Sequence, residues 1–389
     1  MPSILFRLLL IIMMFFSLKS IAQQKAVNSI TWKIAGSLPV ANGEKKALGF
    51  AGAVSGLHNN VLIIAGGANF PDTMPWLGGR KKYYDDVYVF RNDKKHLRLN
   101  NKTFKLPNTL AYAAICSTPL GILCAGGENA AGISNKVILI QWDNAKGNIV
   151  FKNLPNLPLA LTNAAVTAKG NTIYLAGGET NEAASNLFLS LNLNNVDSGW
   201  KQLPQLPHAV SHAVLVEQSN GDFDGIYLIG GRRKTSSGIS ELYSTVYNFD
   251  SRKREWNEKK SLPYNLSAGV GVAAGADYIL LFGGDKGETF HKTEILIGAI
   301  NAEKDPMKKE ELNQQKIQLQ SSHPGFSKEV LLYNTVTNQW NKMEAIPFDV
   351  AVTTNAVKWG NCVLIPSGEI KAGVRTPQIL AGKLMLERQ

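Results

Sequence analysis

Cysteine is scarce in this chain: three residues, Cys116, Cys124 and Cys362, among 389. So few thiols, odd in number, exclude a disulfide-stapled scaffold. Each lies in an apolar run, as buried apolar thiols do. Cys116 and Cys124 flank a turn at Thr118-Pro119-Leu120-Gly121 without standing opposite each other, so no disulfide is expected. Histidine is also sparse, and its six residues are scattered. No Cys/His group has metal-ligand spacing, and no metal is expected. A basic tract is missing as well. Basic groups such as Arg232-Arg233-Lys234 and Lys308-Lys309 are short, which argues against nucleic acid as a partner.

Long apolar runs are confined to the N-terminus. Ile4 to Leu18 is broken only by Arg7 and Ser17, and Ser20-Ile21-Ala22 follows as a small-x-small pattern. The run is about 15 residues, short of the roughly 20 that a membrane span needs. Residues 1–22 therefore read as a cleaved signal peptide, with an uncleaved anchor as the alternative. No Cys follows for a lipid anchor. The mature chain is expected to be periplasmic or secreted, with no membrane association after cleavage. It would carry 39 basic and 30 acidic residues, a net of +9, which suits an anionic small ligand.

What the chain does have is a repeat. Apolar strands ending in Gly-Gly close at Gly66-Gly67, Gly126-Gly127, Gly177-Gly178, Gly230-Gly231 and Gly283-Gly284. A sixth ends in Ser367-Gly368. The second glycines are 60, 51, 53, 53 and 84 residues apart. A small-residue strand precedes each pair, an aromatic strand follows, and the unit ends in an aromatic residue and a Leu-Pro corner, as in Trp200 to Pro204. Four short strands per roughly 50 residues resemble the kelch repeat, which implies an all-β fold, a six-bladed kelch-type β-propeller spanning 23–389. One blade alone cannot bury both its faces, and stacking around an axis does so. The last unit lacks a Trp-Leu-Pro strand, and Thr31 to Pro39 is such a strand without a blade. The N-terminal strand is therefore expected to close the last blade. The longest spacing places an insertion at about 285–329, charged and helix-permissive. A helical excursion over the propeller face is predicted, with a bare surface loop as the alternative.

The loops after the glycine pairs should meet at the channel mouth. They present Asn69, Glu128, Glu179, Arg232 and Asp285, then Glu369 through Arg375. The loops after the Leu-Pro corners add Asn163, His208 and His212. A long first-blade loop brings Gly78-Gly79-Arg80-Lys81-Lys82-Tyr83-Tyr84, in which Arg80 could hold an anion and the tyrosines could stack on a sugar. Any one of these residues alone is more often a solvated loop residue than a ligand. Their convergence on one face is what makes them candidates.

The segment Ser367-Gly368-Glu369-Ile370-Lys371-Ala372-Gly373-Val374-Arg375-Thr376 resembles the N-acetylneuraminate epimerase family, the sialic acid mutarotases. That family carries Asn-Gly-Glu-x-x-x-Gly-Leu-Arg-Thr. Trp32-Lys33, Gly49-Phe50-Ala51-Gly52 and Gly66-Gly67-Ala68-Asn69-Phe70 also match family segments, but here they precede the Glu/Arg blade. The order is rotated, as in a cyclically permuted branch, and a closed ring keeps its site under such a rotation. Ser367 stands where the family has Asn. The resemblance implies interconversion of the α and β anomers of N-acetylneuraminate by acid/base ring opening without a cofactor. Glu369 would transfer the proton and Arg375 would hold the sugar carboxylate. Asn69, Arg80, Glu128, Glu179 and Arg232 are further candidates for binding a small acidic sugar. The alternative is a non-catalytic kelch propeller that binds a glycan or a protein. A sialidase would need Ser-x-Asp-x-Gly-x-x-Trp boxes, and Asp197-Ser198-Gly199-Trp200 lacks that spacing.

Overall fold

The structure is a computed structural model that describes residues 25–41, 43–93 and 96–388. The predicted leader lies outside these residues, as does Asn42. Six antiparallel sheets follow one another along the chain, five of four strands and one of five. The third is representative, with Ala165–Lys169, Thr172–Ala176, Phe188–Asn192 and Lys201–Gln202. The inner strands of neighbouring sheets touch around an axis, so the fold is a six-bladed β-propeller. The second strands are sandwiched between two blades, and Val61–Ala65 and Gly121–Ala125 are buried on both faces. That double burial makes these segments continuous apolar runs.

The ring closes as the chain ends predict. Lys25–Ser37 pairs with Gln378–Arg388, from Lys25 opposite Arg388 to Ser37 opposite Gln378. The N-terminal strand is thus the outermost strand of the sixth blade. Its inward residues Val27 and Ala35 join Ile379, Leu380 and Leu384 in the core. Each large aliphatic side chain buried this way contributes about 1.5–3 kcal/mol.

The late tryptophans bridge blades. Trp200 Nε1 donates to Pro155 O at 2.8 Å, Trp256 Nε1 to Pro204 O at 3.2 Å, and Trp340 Nε1 to Lys260 O at 2.8 Å. Each acceptor lies at or beside the Leu-Pro corner of the preceding unit. Cys116 and Cys124 are buried and out of register, since Cys116 faces Leu123. Cys362 is half-buried rather than buried, because it begins its strand.

The glycine pairs are required by the backbone. Gly66 has φ +62°, and a Cβ there would stand 2.3 Å from Leu110 O. In the sixth blade Ser367 takes the same left-handed conformation, φ +58°, and is fully buried. Its hydroxyl accepts the Phe50 N–H at 2.8 Å and lies 2.8 Å from Thr376 O. The hydroxyl thus does in this blade what a loop carbonyl does elsewhere, which explains the serine in place of glycine.

The insertion is helical. Helix α1 spans Glu288–Ala302 and helix α2 spans Pro306–Ser321. Asp305 caps α2 by accepting from Met307 N at 2.8 Å, with Pro306 at the first turn. On α1, Glu294 accepts from Ser240 N and Oγ at 2.8 and 2.7 Å, and His291 Nε2 donates to Ser240 O at 2.8 Å. These bonds fasten α1 to the Arg232–Lys234 and Ser240–Leu242 hairpin, so the insertion stands on the loop face of the propeller.

Candidate active site

Six short bridges set the geometry of the channel mouth. They join Ala51 to Ala68, Ala111 to Glu128, Thr162 to Glu179, Ser211 to Arg232, Ser267 to Asp285, and Val352 to Glu369. The next residue in each blade has a positive φ: Gly52, Tyr112, Asn163, His212, Ala268 and Thr353. Their backbones are linked around the axis. Gly52 N donates to Thr353 O at 2.6 Å, Tyr112 N to Gly52 O at 2.8 Å, and Asn163 N to Tyr112 O at 3.0 Å. His212 N donates to Asn163 O at 3.1 Å and Ala268 N to His212 O at 2.9 Å. This ring brings Glu128, Glu179, Arg232 and Glu369 to one face, as the loop pattern predicts.

Glu369 and Arg375 are directly opposite each other in the hairpin formed by Glu369–Lys371 and Val374–Arg375. Gly373 has φ +69° at the turn, and its N–H donates to Glu369 Oε1 at 2.7 Å. Arg375 Nη1 lies 3.6 Å from the same oxygen. The Arg375 side chain is only 5% exposed. Its Nε and Nη1 have no hydrogen-bond partner among the described residues. Phe70 stacks on the guanidinium at 4.7 Å. A planar, buried cation with unpaired donors can take a carboxylate through charge-assisted hydrogen bonds.

The remaining candidates divide. Glu128 accepts from Lys81 Nζ at 3.0 Å and Tyr83 OH at 2.7 Å. Glu179 accepts from Ser211 Oγ at 2.7 Å and Asn163 Nδ2 at 3.3 Å. Arg232 reaches His212 Nε2 at 3.4 Å and stacks on Phe290 of α1 at 4.4 Å. His212 is buried, and burial, reinforced by Arg232, pushes its pKa well below the usual range. It is therefore neutral and accepts from Arg232. Asn69 does not serve the cleft. It is buried and spent on Gly49 O at 3.1 Å and Tyr84 OH at 2.8 Å. Arg80 is exposed, and the cation this loop delivers to the mouth is its neighbour Lys81. Tyr84 is not a free stacking face either. It is buried and packs on Phe50 with ring centroids 4.8 Å apart.

A cavity of about 630 Å³ opens beside the channel mouth, walled by Glu369, Arg232, His212, Asp285, Phe290 and His323. It lies within the range of small-molecule sites. The insertion forms one of its walls. His323, just after α2, is buried, and its Nδ1 accepts from Gly325 N at 3.0 Å. Burial depresses its pKa against the pull of Asp285 and Glu369.

The sequence patterns did not single out Tyr112, Phe290 or His323, and within the Gly78 to Tyr84 segment they gave the anion to Arg80 rather than Lys81. Tyr112 sits in an unremarkable Leu110-Ala111-Tyr112-Ala113 run. The one available signal was its position: it is the bulky residue at the place where Gly52 and Asn163 stand in other blades. Lys81 Nζ lies 5.0 Å from the Tyr112 ring centroid. Burial works against the Lys81 ammonium, but Tyr112, Glu128 and Tyr83 together raise its pKa.

A family model described as N-acetylneuraminate epimerase matches residues 154–389. Among curated relatives, N-acetylneuraminate epimerase of Brucella melitensis biotype 1 is 28% identical over 231 residues, 58% of this chain and 57% of that one. Its counterpart from Haemophilus influenzae strain PittEE is 25% identical over 232 residues, 59% of each chain. The matches thus span under two thirds of the relatives' length. Among solved structures, one titled "Structure of YjhT" aligns with a TM-score of 0.61 at 14% identity, covering 91% of this chain and 100% of that one, and it supports the propeller fold. A match that begins at residue 154 fits the rotated order of motifs, since a collinear alignment cannot take segments from both sides of the displaced chain break. The family model covers more than half of the chain, the Glu369–Arg375 hairpin included, and the chain belongs to the N-acetylneuraminate epimerase family.

Proposed function

We propose that this protein is a mutarotase that interconverts the α and β anomers of N-acetylneuraminate or a closely similar acidic sugar. The observation that carries this reading is the buried Arg375, with two free donors, directly opposite Glu369 at the channel mouth. Arg375 binds the sugar carboxylate, and Phe70 fixes the plane of the guanidinium. The adjoining anomeric carbon then faces Glu369. Glu369 removes the proton of the anomeric hydroxyl, the ring C–O bond breaks, the ring oxygen takes up a proton, and the open-chain keto acid forms. Rotation about the bond between the carbonyl carbon and the adjoining chain methylene turns the other carbonyl face toward the ring-closing hydroxyl, and closure reverses the proton movements. Proton transfer by a positioned carboxyl is worth about 10²–10⁴-fold. The cavity beside the hairpin leaves room for the remainder of the sugar.

We also read residues 1–22 as a cleaved leader and assign the activity to an exported protein. Among the described residues no helix is long and apolar enough to cross a membrane.

The test is an NMR comparison of anomer exchange in N-acetylneuraminate, a neutral hexose and a hexuronate, each with the protein and in buffer. Faster exchange of the acidic sugars supports the reading. Binding of N-acetylneuraminate without faster exchange favours a non-catalytic glycan-binding propeller instead.

A further inference from the structure

Ring opening needs two proton movements: one off the anomeric hydroxyl and one onto the ring oxygen. Glu369 accounts for the first. The structure offers a group for the second on the neighbouring blade.

Tyr112 is a bulky residue with φ +56°. A left-handed conformation strains a non-glycine residue, and such outliers gather where function needs a side chain at a fixed place. Five of the six ring positions hold non-glycine residues, and the exception is Gly52. A Cβ on Gly52 would stand 2.5 Å from Tyr112 Cδ1. The Tyr112 ring therefore lies back across Gly52, which is itself bonded to Thr353 of the sixth blade. Gly52 supplies the room, and the ring leans toward the blade that carries Glu369 and Arg375. The charges of both act on its phenol. Lys81 covers the ring from the first-blade loop and is held by Glu128, which also accepts from Tyr83 OH.

We infer that Tyr112 is the second proton-transfer group of this site, giving its phenolic proton to the sugar ring oxygen as Glu369 takes the anomeric proton. This rests on the mutarotase reading and deepens it. The proton count closes within the site. On opening, the ring C–O bond breaks, the ring oxygen gains the Tyr112 proton and Glu369 gains the anomeric proton. On closure the tyrosinate recovers its proton from that hydroxyl, and Glu369 returns its own to the carbonyl oxygen. Between the two steps the tyrosinate is held by Lys81 and Arg375. Burial, with Glu369 beside it, keeps the phenol protonated at rest against the pull of these two cations. The charged groups acting on Tyr112 are thus Lys81, Arg375 and Glu369, with Glu128 acting through Lys81.

The experiment is a double-mutant cycle of Tyr112→Phe and Lys81→Met, read by NMR anomer exchange of N-acetylneuraminate for kcat and KM. Tyr112→Phe is expected to lower kcat by about 10²-fold and leave KM within about twofold. Lys81→Met should lower kcat in the wild-type background and have no further effect in Tyr112→Phe, because the cation acts through the phenol. Full exchange rate in Tyr112→Phe overturns the proposal, and so does a rise in KM alone. Additive losses across the cycle overturn it too, since a merely structural tyrosine would give them. If the wild-type protein exchanges no acidic sugar faster than buffer, the mutarotase reading fails and takes this inference with it.

Discussion

Glu369 and Arg375 face each other across one hairpin, with Oε1 3.6 Å from Nη1, yet the short bond made by that oxygen is to the Gly373 N–H at 2.7 Å. The backbone holds the carboxylate, and the guanidinium keeps donors in reserve. Leaving buried donors unpaired costs roughly 1–3 kcal/mol. A bound carboxylate would remove that cost, as the binding role proposed for Arg375 requires.

Arg375→Met should therefore leave the ligand-free protein as stable as wild type, or more so. It should abolish the stabilisation that N-acetylneuraminate gives. For wild type that gain is about 2.7 kcal/mol at a hundredfold excess over Kd, read as a shift in thermal midpoint. Arg375→Lys should not restore it, because a point ammonium cannot form two parallel bonds.

Glu369→Gln keeps an oxygen for the Gly373 N–H and removes the proton acceptor. Anomer exchange should fall by about 10²–10⁴-fold with the melting temperature nearly unchanged. Unfolding of the variant at ambient temperature would instead assign Glu369 to the structure.

Ser367 tests the explanation of the broken repeat. Ser367→Ala leaves the buried Phe50 N–H without its acceptor and keeps the left-handed strain, so it should destabilise the protein by about 1–3 kcal/mol. Ser367→Gly loses the same bond but relaxes the backbone and should cost less. Denaturant unfolding of both variants gives the order, and a more stable Ala variant would contradict this account.

The fold was legible because its signals are local and repeated. Glycine pairs need φ > 0, sandwiched strands need apolar runs, and the bridging tryptophans recur at one phase of the repeat. Ring closure followed from a missing strand at one end and a spare strand at the other. The Glu369/Arg375 pair was legible for the same reason, since both lie in one short hairpin. Tyr112 was not. Its meaning depends on Gly52, Lys81 and Glu369, which are brought to it only when the ring closes. Asn69 shows the opposite error: a polar residue after a glycine pair that the fold uses for its own hydrogen bonds. In the first-blade loop the cation at the mouth is Lys81 and not Arg80.

Glu329 clamps both ends of the insertion. It accepts from Lys286 before α1, from Tyr264 and from Lys342. Burial opposes its charge, but these partners prevail and hold its pKa down at about 2, against an ordinary 4.5. Its folded pKa lies below its unfolded one, so its contribution is complete above about pH 4.5 and is lost as pH falls toward 2. Glu329→Gln should flatten the fall in stability over that window, measured as denaturant midpoint against pH. An unchanged slope would show that other carboxylates carry it.

The most direct measurement follows α-N-acetylneuraminate freshly released by a sialidase, with the protein at catalytic concentration, and records the approach to the β anomer by proton NMR. This account predicts equilibration faster than in buffer, and a return to the buffer rate with Glu369→Gln. Wild-type equilibration at the buffer rate would contradict it.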